Sequence, residues 1–259
     1  MSNPDAILLV GHGTRDARGA AEFLELARRL GERFDATPVC PCFLELAEPT
    51  IAEAIAVAVA KGARRIVVAP VLLFAAGHSK QDIPAAVDAA IQRTARGRGE
   101  RIEWLQTDAL ECHPKLLELS AERFSEAIAT APLANDDVCL VLVGRGSHDA
   151  EATAAMRRIG TLRAEMSGVS RSETAFIAMA EPKYPDVLRA AGERGHARIV
   201  VQPHLLFEGE LVTKLRTDVA EFRRLFPATD WRVAGHLGPD TLLVDAVESL
   251  CCAAIAGAL

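Results

Sequence analysis

Three residues far apart in the chain, His12, Glu45 and His78, are of types that together could handle a metal ion. A neutral imidazole is a common ligand for divalent first-row metals, and a carboxylate can either ligate a cation or accept a proton. Each of the three follows an apolar run that reads as a strand. Residues 6–10 form the first run and end at Gly11-His12-Gly13; residues 37–44 form the second, just before Glu45; residues 65–73 form the third, a short loop before His78. In an open parallel sheet, ligands sit beyond the carboxyl ends of the strands. The three positions are therefore expected to converge on one edge of a sheet. Taken singly, each histidine also has an ordinary reading as a structural or solvated loop residue.

The elements that would position them alternate regularly. Helical apolar spacing runs over residues 17–34, 50–61 (stopped by Gly62), 79–93 and 114–129, and a fourth strand is expected at 101–106. Strands this apolar belong to a parallel sheet covered on both faces. The fold class is thus α/β.

The chain is also a duplication. Gly11-His12-Gly13-Thr14-Arg15-Asp16 recurs as Gly144-Arg145-Gly146-Ser147-His148-Asp149, and Phe43-Leu44-Glu45-Leu46-Ala47-Glu48-Pro49 recurs as Phe176-Ile177-Ala178-Met179-Ala180-Glu181-Pro182. The string from Arg65 to Phe74 recurs from Arg198 to Phe207, and all three matches share one offset of 133 residues. Two homologous doubly wound parallel-sheet domains, 1–133 and 134–259, are expected with a cleft between them, the junction falling near residues 131–137. The second copy has Arg145 for His12, Ala178 for Glu45 and Leu211 for His78, so all three candidates are lost together while their surroundings persist. That pattern fits one active half and one kept for shape or substrate binding. Glu48 and Glu181, present in both copies with the following proline, read instead as structural residues at a helix start.

Composition excludes several other classes. The 259 residues are half apolar and a quarter charged with a net charge of −6, which argues against nucleic acid and anionic membranes as general partners. The longest apolar stretches are too short to span a bilayer, and Met-Ser-Asn-Pro-Asp does not read as a signal peptide. The six cysteines form no C-x-x-C pair and read as small buried thiols, and a cytoplasmic location is expected. Gly11-x-Gly13 lacks the residues of a phosphate loop or a full dinucleotide fingerprint.

The strings Leu9-Val10-Gly11-His12-Gly13-Thr14-Arg15, Phe43 to Pro49 and Ala76-Gly77-His78-Ser79-Lys80-Gln81-Asp82-Ile83-Pro84 resemble the sirohydrochlorin chelatase family, which includes cobaltochelatases of cobalamin synthesis and ferrochelatases of siroheme synthesis. The resemblance spans both halves and implies a class II chelatase fold. It implies that His12 and His78 handle the metal, with Glu45 an acidic residue of the pocket. The reaction it implies is insertion of Co²⁺ (favoured, given the long duplicated architecture) or Fe²⁺ into sirohydrochlorin. No cofactor beyond the substrate metal is implied. The substrate so inferred carries eight carboxylates, for which Arg15, Lys80 and Arg145 are the candidate partners, with His148 and Lys214 in the corresponding region of the second half. Each of these cations has an even alternative as a solvated surface charge. His113, His196, His204 and His236 are given little weight as ligands, and His204 reads as packed or capped. A monomer is expected, since two fused halves can pair internally as a single-domain relative would in a dimer. A non-catalytic metal or tetrapyrrole carrier is the alternative from another class.

Overall fold

The computed structural model describes residues 4–75, 78–95, 101–129, 137–169 and 171–257, so the expected junction near 131–137 lies almost wholly outside the described residues. The chain forms two four-stranded sheets, each entirely parallel. The first has the order β2-β1-β3-β4, from β1 (Ala6–Gly11), β2 (Val39–Phe43), β3 (Arg65–Pro70) and β4 (Glu103–Gln106). The second has the order β6-β5-β7-β8, from β5 (Val138–Gly144), β6 (Arg171–Phe176), β7 (Arg198–Pro203) and β8 (Asp230–Val233). The central strands β1 and β5 are buried at every residue, as expected of runs with no polar alternation.

Helices cover both faces of each sheet. In the first, Ala6, Leu8 and Val10 pack with Ile51 and Ile55 of α2 (Ile51–Ala60) and with Ile83 and Val87 of α3 (Ile83–Ala95). Strand alternation turns Ile7 and Leu9 to the opposite face. There α1 (Ala17–Gly31) buries Phe23, Leu26 and Leu30, with the Phe23 ring 4.8 Å from that of Phe43. In the second sheet, Cys139, Val141 and Val143 face Tyr184 and Leu188 of α6 (Tyr184–Glu193) and Leu215 and Val219 of α7 (Glu210–Leu225). Helix α5 (Ala150–Ser167) buries Met156, Ile159, Gly160 and Arg163. Asp16 and Asp149 cap α1 and α5 in the same way, each side chain accepting the backbone N–H two residues on.

The compact units do not coincide with the halves 1–133 and 134–259. One comprises Met1–Leu110 with Leu243–Leu259, the other Glu111–Leu242. Helix α4 (Pro114–Ile128), encoded by the first half, belongs with the second sheet, and α8 (Thr241–Gly257), encoded by the second half, belongs with the first. Phe124 of α4 packs on Leu140, Val200 and Ala234. Arg123 fixes the helix further: its guanidinium donates to the carbonyls of His236 and Leu237 at 3.1 Å and to Asp240 at 2.9 Å. In the first unit, Arg33 pairs with Asp245 of α8 at 3.0 Å. The sequence boundary follows the repeat, whereas the units follow what each sheet needs to cover its second face.

All six cysteines are free. Burial pushes the Cys42 and Cys251 thiols up to about 12 and Cys139 up to about 11, so these three remain protonated, unreactive core groups. Among the described residues no helix is long and apolar enough to cross a membrane.

Candidate functional site

Parallel pairing between β1 and β2 continues past the strands and sets the site. The Leu44 N–H donates to the Gly11 carbonyl at 2.9 Å, and the Glu45 N–H donates to the His12 carbonyl at 3.1 Å. These two bonds hold residues 12 and 45 side by side on the carboxyl edge of the first sheet. Gly13 makes the approach possible: its φ is +102°, and a Cβ there would fall 1.6 Å from the Glu45 carbonyl oxygen. The His12 Nδ1 lies 3.6 Å from Glu45 Oε1, with the imidazole about one-quarter exposed and the carboxylate half exposed. At that separation the carboxylate stabilises positive charge on the imidazole, or on a cation beside it, without locking the ring in a short hydrogen bond.

His78 occupies the same edge by topology, opening a π-helical turn, His78–Asp82, that follows the loop after β3. Its side chain, and residues Ala76 and Gly77 before it, lie outside the described residues. The π turn has a covalent cause. Pro84 carries no N–H and cannot donate to a carbonyl four residues back, so regular α-helix begins only at Ile83 rather than at the expected residue 79. Arg15, in the loop after β1, and Lys80, in the π turn, are exposed on this edge.

The second unit repeats the backbone and changes the side chains. The Ile177 and Ala178 N–H groups donate to the Gly144 and Arg145 carbonyls, both at 2.9 Å. Gly146 has φ +88°, and a Cβ there would fall 2.4 Å from the Ala178 carbonyl oxygen. Where the first unit places His12 against Glu45, this one places an exposed Arg145 beside Ala178. His148 is also exposed, whereas Lys214 is engaged within its own unit, 2.7 Å from Asp218 and over the Tyr184 ring. His113 caps α4, its Nδ1 accepting the Lys115 N–H at 3.3 Å, and burial followed by the Lys115 charge lowers its pKa. His236 lies 3.9 Å from Glu208, whose carboxylate also holds Arg216 at 2.8 Å. Both histidines thus have polar neighbours within their own unit.

One feature of the edge was not legible in residue types. Leu46, next to Glu45, has φ +63° and is half exposed, and its counterpart Met179 has φ +39° and is 38% exposed. A leucine inside an apolar string reads as core, yet here the backbone turns it outward beside the His12–Glu45 pair at a conformational cost of about 1–3 kcal/mol. The peptide bonds Glu48-Pro49 and Glu181-Pro182 are cis in both copies, immediately after these loops.

A family model described as CbiX matches residues 6–127 and, a second time, residues 139–254. The chain belongs to the CbiX family. The two matched segments are the two halves of the duplication, each carrying one sheet. Among CbiX relatives, a sirohydrochlorin cobaltochelatase from Priestia megaterium is 29% identical over 234 residues, covering 90% of this chain and 74% of that one. A sirohydrochlorin ferrochelatase from the same organism is also 29% identical over 234 residues, covering 90% and 84%. The solved structure of SirB from Bacillus subtilis with Fe³⁺ has the same fold, with a TM-score of 0.84 at 24% identity over 98% of this chain and 96% of that one. The class II chelatase fold expected from the sequence is thus the one observed.

Proposed function

We propose that this chain is a chelatase that inserts a divalent metal into sirohydrochlorin, in cobalamin or siroheme synthesis. The observation that carries the reading is the His12–Glu45 pair at 3.6 Å on the carboxyl edge of the first sheet, set against Arg145 and Ala178 on an otherwise equivalent edge of the second. Co²⁺ is the favoured ion and Fe²⁺ the alternative. The two Priestia relatives, named for different metals, are equally identical to the chain, so overall similarity does not separate them.

Insertion exchanges two pyrrole protons of the macrocycle for one M²⁺, so the site must deliver a cation and accept protons. In this reading His12 and His78 hold the incoming ion, which is substrate rather than resident cofactor. As the ion passes to the ring, the two imidazoles it leaves take up the two displaced pyrrole protons and release them to solvent, with Glu45 beside His12 offsetting the positive charge. Leu46 offers the flat, largely apolar ring an apolar contact beside the metal. Arg15 and Lys80, exposed on the same edge, receive peripheral carboxylates of the macrocycle. The protein acts as a monomer in the cytoplasm, a placement supported by its six free thiols.

The test is absorbance-monitored insertion into sirohydrochlorin under anaerobic conditions, with Co²⁺ and Fe²⁺ in parallel. Wild type is expected to turn over saturably, and His12→Ala and His78→Ala to fall by about 10²-fold or more. Wild-type turnover no faster than the protein-free control would overturn the enzyme reading and leave a metal or tetrapyrrole carrier.

A further inference from the structure

The second unit contains a polar group where the first has only hydrocarbon. Arg163 of α5 is fully buried, with 0% of its surface exposed, and it lies among Ser120 of α4, Gln202 of β7 and His204 just after β7, each no more than 1% exposed. Its Nε donates to Ser120 Oγ at 3.0 Å, while Gln202 Nε2 donates to the Ser120 carbonyl at 2.6 Å and to Ser120 Oγ at 3.1 Å. Both terminal nitrogens of Arg163 and the Gln202 Oε1 are buried and have no hydrogen-bond partner. Among the described residues no carboxylate pairs with this guanidinium.

The duplication shows that the fold does not require this arrangement. Leu30, Ala69 and Val71 precede Arg163, Gln202 and His204 by the repeat offset of 133 residues. Ser120 and Val247 are each the seventh residue of their helix, α4 and α8, which are entered alike: Leu110 and Leu237 donate to the Leu72 and Leu205 carbonyls, both at 3.0 Å. Leu30, Ala69, Val71 and Val247 are all buried. An apolar layer thus serves the same architecture, and the second unit carries in its place a buried cation whose donors are left over.

We propose that the second unit encloses a small monovalent anion, bound by the Arg163 guanidinium with Ser120, Gln202 and His204 around it. The charge balance fits one negative charge. Burial lowers the Arg163 pKa only to about 10, which leaves it cationic. Burial, and then the Arg163 charge, lower His204 to about 4, which leaves it neutral at pH 7. A guanidinium sealed from water without a counter-charge is costly, and two unpartnered NH2 groups in one plane match a halide or a planar oxyanion of formate size. Exposure of 1% or less at all four side chains excludes anything bulkier that would reach solvent.

Two experiments on the full chain test the site without using turnover. In thermal unfolding at fixed ionic strength, chloride or formate replaces gluconate, an anion too large to be enclosed. Wild type is expected to gain about 3–5 °C in Tm per tenfold rise in the small anion once the site is half filled. Arg163→Leu, the residue the first unit uses, is expected to lose that gain. Comparison of the chloride and formate series identifies halide or oxyanion as the occupant. No gain in either series, or the same gain in wild type and Arg163→Leu, overturns the proposal. Crystals of the wild type grown in bromide give a readout that does not depend on the variant's folding. An anomalous peak against the Arg163 terminal nitrogens supports the site, and ordered water alone at that position overturns it.

Discussion

The layer of Leu30, Ala69, Val71 and Val247 in the first unit and that of Arg163, Gln202, His204 and Ser120 in the second occupy corresponding places in two copies of one fold. Only the second is polar. At the carboxyl edges the asymmetry runs the other way: the first copy carries His12 and Glu45 on the glycine-turn backbone, the second Arg145 and Ala178. In both places the main chain repeats closely while the side chains differ. The backbone hydrogen bonds and positive-φ glycines set where a residue stands, and the identity of that residue is then free to diverge between copies. Polar side chains are therefore set differently on one scaffold, a His–Glu pair at the edge of the first unit and an arginine cluster in the interior of the second.

Transplanting a residue between the two layers breaks the comparison most severely. Leu30→Arg would bury a guanidinium among Ala69, Val71 and Val247, with none of the hydroxyl, amide or imidazole groups that surround Arg163. A loss of about 3–5 kcal/mol is expected, the scale of an uncompensated buried charge. Addition of Val247→Ser and Ala69→Gln should recover part of it. Denaturant unfolding measures both steps, and a near-neutral Leu30→Arg would mean that the two layers are less alike than their burial indicates.

A smaller effect is expected from protons. Because His204 titrates at about 4 in the folded chain against an ordinary 6.5, the unfolded state takes up its proton first as the pH falls. Its contribution to stability is complete above pH 6.5 and is lost progressively down to about 4, amounting to about 3 kcal/mol at 1.36 kcal/mol per pH unit. His204→Val installs the residue found at the corresponding position, Val71, and should flatten stability against pH over that window. Urea unfolding at pH 7 and pH 4.5 reads the difference; equal losses in wild type and variant would mean that His204 is not the group responsible.

Much of this was legible in the sequence, and the exceptions have particular causes. An apolar run identified β1, the offset of 133 residues identified the duplication, and the strand ends brought His12 and Glu45 to one edge. The second strand, expected over 37–44, is shorter, Val39–Phe43, and the third stops at Pro70 rather than residue 73, although the Val71 N–H still donates to the Val10 carbonyl at 2.8 Å. The allegiance of α4 and α8 could not be read, because a helix's apolar stripe does not say which sheet it will cover. Arg163 was hidden for a different reason: residue type alone does not separate it from exposed Arg158. Two signals did bear on it. It falls on the buried stripe of Met156, Ile159 and Gly160, and it stands one repeat after Leu30.

A further difference between the copies, with a smaller expected effect, lies at the start of their second helices. Thr50 caps α2 with a full capping box: its hydroxyl accepts the Glu53 N–H at 3.3 Å, and the Glu53 carboxylate accepts the Thr50 N–H at 2.7 Å. The corresponding residue before α6 is Lys183, which makes no side-chain cap and instead donates to the Ala180 carbonyl at 2.9 Å. The backbones at the two positions are similarly extended, at φ −74°, ψ 162° and φ −72°, ψ 138°. Thr50→Ala should therefore cost about 1 kcal/mol, the typical worth of a cap. Lys183→Thr should gain somewhat less, about 0.5 kcal/mol, because the Lys183–Ala180 bond is given up while the free N–H groups of α6 acquire an acceptor. Hydrogen exchange at the first turns of α2 and α6 separates the two effects: protection should fall at α2 in Thr50→Ala and rise at α6 in Lys183→Thr. A rise in global stability without added protection at α6 would place the gain in the lost lysine, not in the new cap.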